Sequence, residues 1–255
     1  MELRQTDRGG HVDRKRLSLP ILFESDHEIV VVKPAGMASE LTSDPKGVSL
    51  LSRLRMAAPN ITPKLPHRLD RVTRGIVVAA LSDEAIRFHN ACIREGDWVK
   101  LYLARVRCRQ GQGFEGLLGV HRLHLRIEDR RAVVVRSGGK RAITEVLAID
   151  PAPERHDEAH VLLRLHTGRY HQIRATMAAL DMPLVDDWVY DSGARREDRQ
   201  FYLEHVALRF VPFQGEREQT VHLRDDPGRE RIDKAMRRAI DRALEQWEEN
   251  DAEEH

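Results

Sequence analysis

The segment Pro66-His67-Arg68-Leu69-Asp70-Arg71-Val72-Thr73-Arg74-Gly75 runs straight into Ile76-Val77-Val78-Ala79-Ala80-Leu81. The second half carries no charge and reads as a core strand. The first half sets a carboxylate, Asp70, in a turn at the mouth of that strand, between Pro66 and Gly75. A carboxylate there is costly to bury unless it is paired, and Arg68, Arg71 and Arg74 stand close to it in the chain. Any fold must therefore bury the strand while holding the acid at its edge. Taken alone, the segment reads as a structural ion-pair cluster. Two later segments favour chemistry instead.

The chain has 255 residues, enough for one large domain or two lobes. Its 42 basic and 41 acidic residues leave a formal charge of +1. Near-neutrality does not exclude a nucleic-acid partner, because charge can be segregated: Glu245 to Glu254 is acidic, and without it the body is basic. Met1 to Leu17 is charged throughout and has no leader pattern, and no apolar run approaches the ~20 residues of a membrane span. Cys92 and Cys108 offer neither zinc spacing nor a disulfide framework. A cytoplasmic protein is expected.

Along the chain, residues 1–17 read as a polar arm with Arg4, Arg8, Arg14 and Arg16. Ile21 to Phe23 and Ile29 to Val32 read as strands, and Val48 to Met56 as a short helix. Ser82 and Gly96 bound a second helix as N-cap and terminator. Lys100 to Cys108 alternates as a strand, with Arg105 and Arg107 on one face and Tyr102, Ala104 and Val106 on the other. Gln110 to Gly119 is loop-like. Leu123 to Ile127, Arg131 to Val135 and Ala142 to Ile149 suggest a meander, followed by a strand at Val161 to His166 and a helix at His171 to Leu180. Leu203 to Phe210 and Thr220 to Leu223 read as closing strands. Ile232 to Trp247 is an amphipathic helix whose apolar side suits docking on the body. Short strands with interspersed helices make an α+β class.

Three segments share one chemistry. H-R-L-D-x-x-T-x-G around Asp70, K-x-Y at Lys100 to Tyr102, G-R-x-H-Q-I-R at Gly168 to Arg174 and P-L-x-x-D from Pro183 resemble the RluA family of RNA pseudouridine synthases. Glu24 to Gly36 resembles that family's E-x-x-x-x-V-x-K-P-A-G segment, and Gly138 to Thr144 its G-G-K-x-A-x-T segment. The likeness runs from about Ile21 to Phe213.

The resemblance implies isomerisation of uridine within ribosomal or transfer RNA, with no cofactor and no metal. It implies a fold of two lobes of mixed, mostly antiparallel sheet with flanking helices and a central basic cleft. Asp70 is then the catalytic carboxylate, attacking the anomeric carbon or removing a proton from its neighbour; both roles stay open. Arg174 is its cationic partner, and Tyr102 lies against the base and takes the last proton. Ile173 packs on the base, and Arg68 helps hold the uridine out of its helix. Arg71, Arg74 and Arg169 are candidates for the phosphate path. Residues 18–225 form the catalytic domain, preceded by the 1–17 arm and followed by the 226–255 helix. A monomer is expected. A catalytically silent RNA-binding protein of the same fold is the alternative.

Departures from the family pattern are Arg74, Tyr170, Asp181, Asp186-Asp187 and Leu203-Glu204-His205, and they bear on substrate choice. His67 and His171 read as structural hydrogen-bonders, Trp98 and Trp188 as packing residues and Trp247 as an anchor of the last helix. His156-Asp157-Glu158-Ala159-His160 looks like a zinc helix but has its acid misplaced for H-E-x-x-H and no apolar stripe.

Overall fold

The computed structural model describes residues 12–42, 48–108, 113–114, 116–152, 155–191, 201–226 and 232–253, with side chains up to Gln246 in the last stretch. The expectations for Arg4, Arg8 and part of the Gln110 to Gly119 loop lie outside these residues, and those for Trp247 and the acidic end lie outside the described side chains. The chain divides into two units, Met1–Trp98 with Phe210–Val221 and Val99–Arg209 with His222–His255.

Within the expected 1–17 arm, the described residues 12–17 are folded. Asp13 caps the short helix α1 (Arg14–Leu17), accepting hydrogen bonds from the Lys15 and Arg16 amides. Its own amide donates to Ala57 O, and Val12 and Leu17 are buried. Two apolar residues on either side of a cap are enough to seat this turn, despite the charges between them. Strands β1 (Ile21–Glu24), β2 (Glu28–Lys33) and β3 (Arg74–Ala80) form an antiparallel ladder in that order. β2 is buried from end to end, including both its charges. Glu28 meets His89 Nε2 at 3.1 Å, also fully buried. The register pairs Lys33 with Gly75, so the end of β2 lies beside the turn that feeds β3. Helix α2 (Leu50–Ala57) opens on a Ser49/Ser52 capping box. Helix α3 (Asp83–Glu95) starts at Ser82 and stops at Gly96 (φ 94°), both as expected. Trp98 packs among His67, His89 and Phe210.

The second unit is an antiparallel sheet of β4 (Val99–Arg107), β5 (Gly119–Glu128), β6 (Arg131–Val134), β7 (Lys140–Pro151), β8 (Glu158–Leu165) and β9 (Leu203–Phe210, whose last residue belongs to the first unit), in the order β9-β4-β8-β7-β5-β6. β4 lies between β8 and β9 and is buried on both faces from Val99 to Ala104. The expected alternation therefore shows only in its second half, where Arg105 and Arg107 are half-buried. Helix α4 (Gln172–Ala179) covers one face through Ala175, against Leu125, Ala132 and Ala142. Strand β10 (Gln219–His222) and helix α5 (Lys234–Glu253) complete the chain. α5 docks Met236, Ile240 and Leu244 on Leu101, Leu103 and Leu162, as its apolar stripe foretold. Because side chains alternate along β4, Tyr102 points away from the α5 face, to the side that α4 covers. The class is α+β. No helix among the described residues is long and apolar enough to cross a membrane.

Candidate active site

Asp70 sits half-buried in a turn held from several sides. Ser39, itself buried, donates from Oγ to Leu69 O at 2.7 Å and accepts from Leu69 N at 3.1 Å. The Gly36 amide donates to Arg71 O at 2.7 Å, and Arg71 Nε returns a bond to Gly36 O at 2.8 Å. Thr73 N closes the turn on Asp70 O. His67 accepts from the Val78 amide at Nε2, 3.0 Å away, so its proton is on Nδ1 and its role is structural, as expected. Ser39 was not singled out in the sequence; a serine in a polar stretch carries no signal by itself.

Lys33, in the K-P-A-G corner, is a second brace of this turn. Its side chain is fully buried, donating to Pro34 O and Met37 O at 3.0 and 2.8 Å. Burial pushes its pKa down to about 8, against the pull of the Asp70 carboxylate. The lysine thus ties the Lys33-Pro34-Ala35-Gly36 corner to the Asp70 turn electrostatically. Arg68 is exposed and pairs with Glu40 at 2.7 Å. Arg71 is exposed, and Arg74 is half-buried at the start of β3.

In the second unit, Arg174 is the centre of a buried network. It is 4% exposed and forms a two-pronged pair with the fully buried Asp187: Nε to Oδ2 and Nη2 to Oδ1, each 2.7 Å. Its Nη1 donates to His171 Nε2 at 2.9 Å. That bond fixes the neutral His171 with its proton on Nδ1, 3.2 Å from Tyr190 Oη. Tyr190 Oη also accepts from Ala132 N and donates to Ala132 O, which uses every polar position of the hydroxyl. Burial pushes the Tyr190 pKa up to about 12. His171 adopts φ 51° as the N-cap of α4 and stacks on Tyr170. Its expected structural role holds.

Gln172 explains why this helix starts where it does. It is buried, donates from Nε2 to Ile143 O and Thr144 Oγ1, and accepts at Oε1 from Thr167 Oγ1 and Arg169 N, so both ends of the amide are satisfied. The Gly138 to Thr144 segment and the Gly168 to Arg174 segment are thereby bonded to each other. Ile173 is buried on α4, and Arg169 is exposed with Nε on Arg141 O.

Tyr102 is 7% exposed and lies flat on His205, with centroids 4.5 Å apart and planes 12° apart. Lys100 is buried and its pKa is pushed down to about 8 by desolvation. Trp188, expected in packing, is instead 68% exposed. Glu158 of the zinc look-alike pairs with Arg107 at 3.0 Å, and no group of three potential metal ligands gathers among the described residues.

Residues 27–179 match the family model described as RNA pseudouridylate synthase. The dual-specificity RNA pseudouridine synthase RluA of Escherichia coli strain K12 is 33% identical over 195 residues, covering 74% of this chain and 85% of that one. Ribosomal large subunit pseudouridine synthase D of Xanthomonas campestris pv. campestris is 32% identical over 191 residues, covering 72% of this chain and 55% of that one. Among solved structures, human RNA pseudouridylate synthase domain containing 1 shares the fold, with a TM-score of 0.63 and 24% identity over 87% of this chain and 85% of that one.

Proposed function

Because the chain belongs to the RNA pseudouridylate synthase family, we propose that it isomerises specific uridines of ribosomal or transfer RNA to pseudouridine. In this reaction the bond from N1 to C1′ breaks, the base turns over, and C5 bonds to C1′. The C5 proton is lost and N1 ends up protonated, so atoms and electrons balance within the nucleotide. The reading calls for no cofactor and no metal. Asp70 supplies the ionised carboxylate, either as nucleophile at C1′ or as base toward C2′. Arg174 provides the cation that favours that ionised state. Tyr102 stacks on the base and accepts the C5 proton, and Ile173 packs against it. Extruding a base costs a few kcal/mol, which Arg68 helps to offset. Arg71, Arg74 and Arg169 serve the flanking phosphates.

The observation that carries this reading is the bracing of the Asp70 turn. Ser39, Gly36 and Lys33 fix its backbone and its field before any substrate arrives, as a preorganised site requires. We take residues 18–225 as the catalytic domain of a monomer acting in the cytoplasm.

The test is a pseudouridine map of total RNA from cells with the gene, without it, and with Asp70→Ala in its place. Sites that vanish without the gene should stay lost with Asp70→Ala. Restoration by Asp70→Ala would refute the role of Asp70. If no site changes and purified protein leaves synthetic RNAs unmodified, the chain is a binder and not a synthase.

A further inference from the structure

The stretch from Arg122 to Arg141 holds seven of the chain's 42 Lys and Arg and two of its 41 Asp and Glu, so it carries +5 while the other 235 residues sum to −4. All seven cations are exposed. β5, β6 and β7 fold this stretch onto itself. His124 stands directly opposite Arg141, Arg122 opposite Ile143 and Arg126 opposite Val133. Directly paired residues share a face, so Arg122, His124, Arg126 and Arg141 form one outer patch. The other face of the same strands is closed by Ala175 of α4, with Tyr170 and Tyr190.

Across the ladder Arg122 and Arg126 face aliphatic residues, and Arg141 faces His124, so none of the three meets a carboxylate there. Glu128, opposite Arg131, is bonded to Arg126. Among the described residues, Arg122 and Arg141 of this patch make no ion pair. Six of the seven cations are arginine, whose flat guanidinium matches phosphate in two-pronged geometry. Alternate residues on a strand lie about 7 Å apart on a rigid frame. Between them are the aliphatic Val133 and Ile143, with no Phe, Tyr or Trp to stack on a base.

We propose that this outer face of β5, β6 and β7 grips the sugar-phosphate backbone of the substrate RNA away from the modified nucleotide, independently of base sequence. The proposal rests on the reading of the chain as acting on RNA. It makes affinity depend on RNA length and on salt rather than on the sequence around the target.

The full chain carrying Arg122→Ser, Arg126→Ser and Arg141→Ser would be compared with wild type by fluorescence anisotropy. The probes are a full-length labelled transfer RNA transcript and a single hairpin cut from it, titrated across a KCl series. For the transcript, Kd should rise about tenfold or more and the slope of log affinity against log salt should become shallower by about two; for the hairpin, both should stay as in wild type. Arg→Lys at the same three positions should restore the salt slope, and unchanged melting by circular dichroism would confirm that the fold is kept. An unchanged transcript slope, or equal weakening of transcript and hairpin, overturns the proposal. If wild type modifies no RNA, the catalytic reading fails, while the anisotropy result still decides this proposal.

Discussion

Asp187→Asn isolates the support of Arg174 from Arg174 itself. Asp187 is fully buried and Arg174 nearly so, joined by two hydrogen bonds of 2.7 Å. The substitution removes the charge and turns an N–H donor toward the guanidinium, leaving His171 Nε2 at 2.9 Å as a neutral acceptor. Breaking a buried pair in this way costs about 3–5 kcal/mol, because a charge stays buried without its counter-ion. Domains have about 5–15 kcal/mol in total, so the loss is a large fraction. With a urea slope of about 3 kcal/mol per molar, the midpoint of unfolding followed by circular dichroism should fall by about 1–2 M. Arg174→Met with Asp187→Leu removes both charges and should recover most of that stability, while forming no pseudouridine. A loss under about 1 kcal/mol for Asp187→Asn, or a double variant no more stable than the sum of its singles, would refute the reasoning.

Three further outcomes follow from the first unit. Lys33 titrates near 8 in the fold against 10.5 when exposed; below pH 8 the buried cation costs about 3 kcal/mol, and as pH rises from 8 to 10.5 the unfolded chain holds the extra proton, so stability should climb. Lys33→Met should flatten that rise in urea unfolding measured across pH, and an equal rise in the variant would exclude Lys33 as its source. Ser39→Ala deletes both bonds to Leu69 in a buried setting and should cost about 1–3 kcal/mol, with a lowered kcat for pseudouridine formation; a variant with full stability would contradict the clamp. Asp70→Asn should abolish the reaction measured by tritium release from C5-labelled RNA while leaving the melting temperature within a few degrees of wild type.

The legible parts of this fold were those that local chemistry decides. Ser82 and Gly96 announce a helix because a cap and a left-handed terminator act within one turn of the chain. The α5 stripe announces its docking because burial follows the helical period. The Asp70, Tyr102 and Arg174 motifs were readable as residue patterns, but their supports were not. Ser39 reaches Leu69 across 30 residues, and Tyr190 reaches Ala132 across 58. Nothing near Ser39 or Tyr190 in the chain signals these partners; only the folded chain brings them together. β4 was misread in part for the same reason, since burial on both faces depends on having β8 and β9 as neighbours. Trp188 shows the converse: a large ring invites a core assignment, yet the turn after Asp187 leaves it exposed.

The opposed charges of the Arg122 to Arg141 stretch and the rest of the chain have a consequence for handling the protein. A net charge of +1 suggests a molecule that repels its own kind weakly and ignores ion exchangers. A stretch of +5 gathered on exposed strands gives it a concentrated basic surface that the net charge hides. Acidic segments of one copy can pair with that surface on another, so solubility should be poorest at low ionic strength and improve on adding salt. The same surface should let a cation-exchange or heparin column retain the protein near neutral pH.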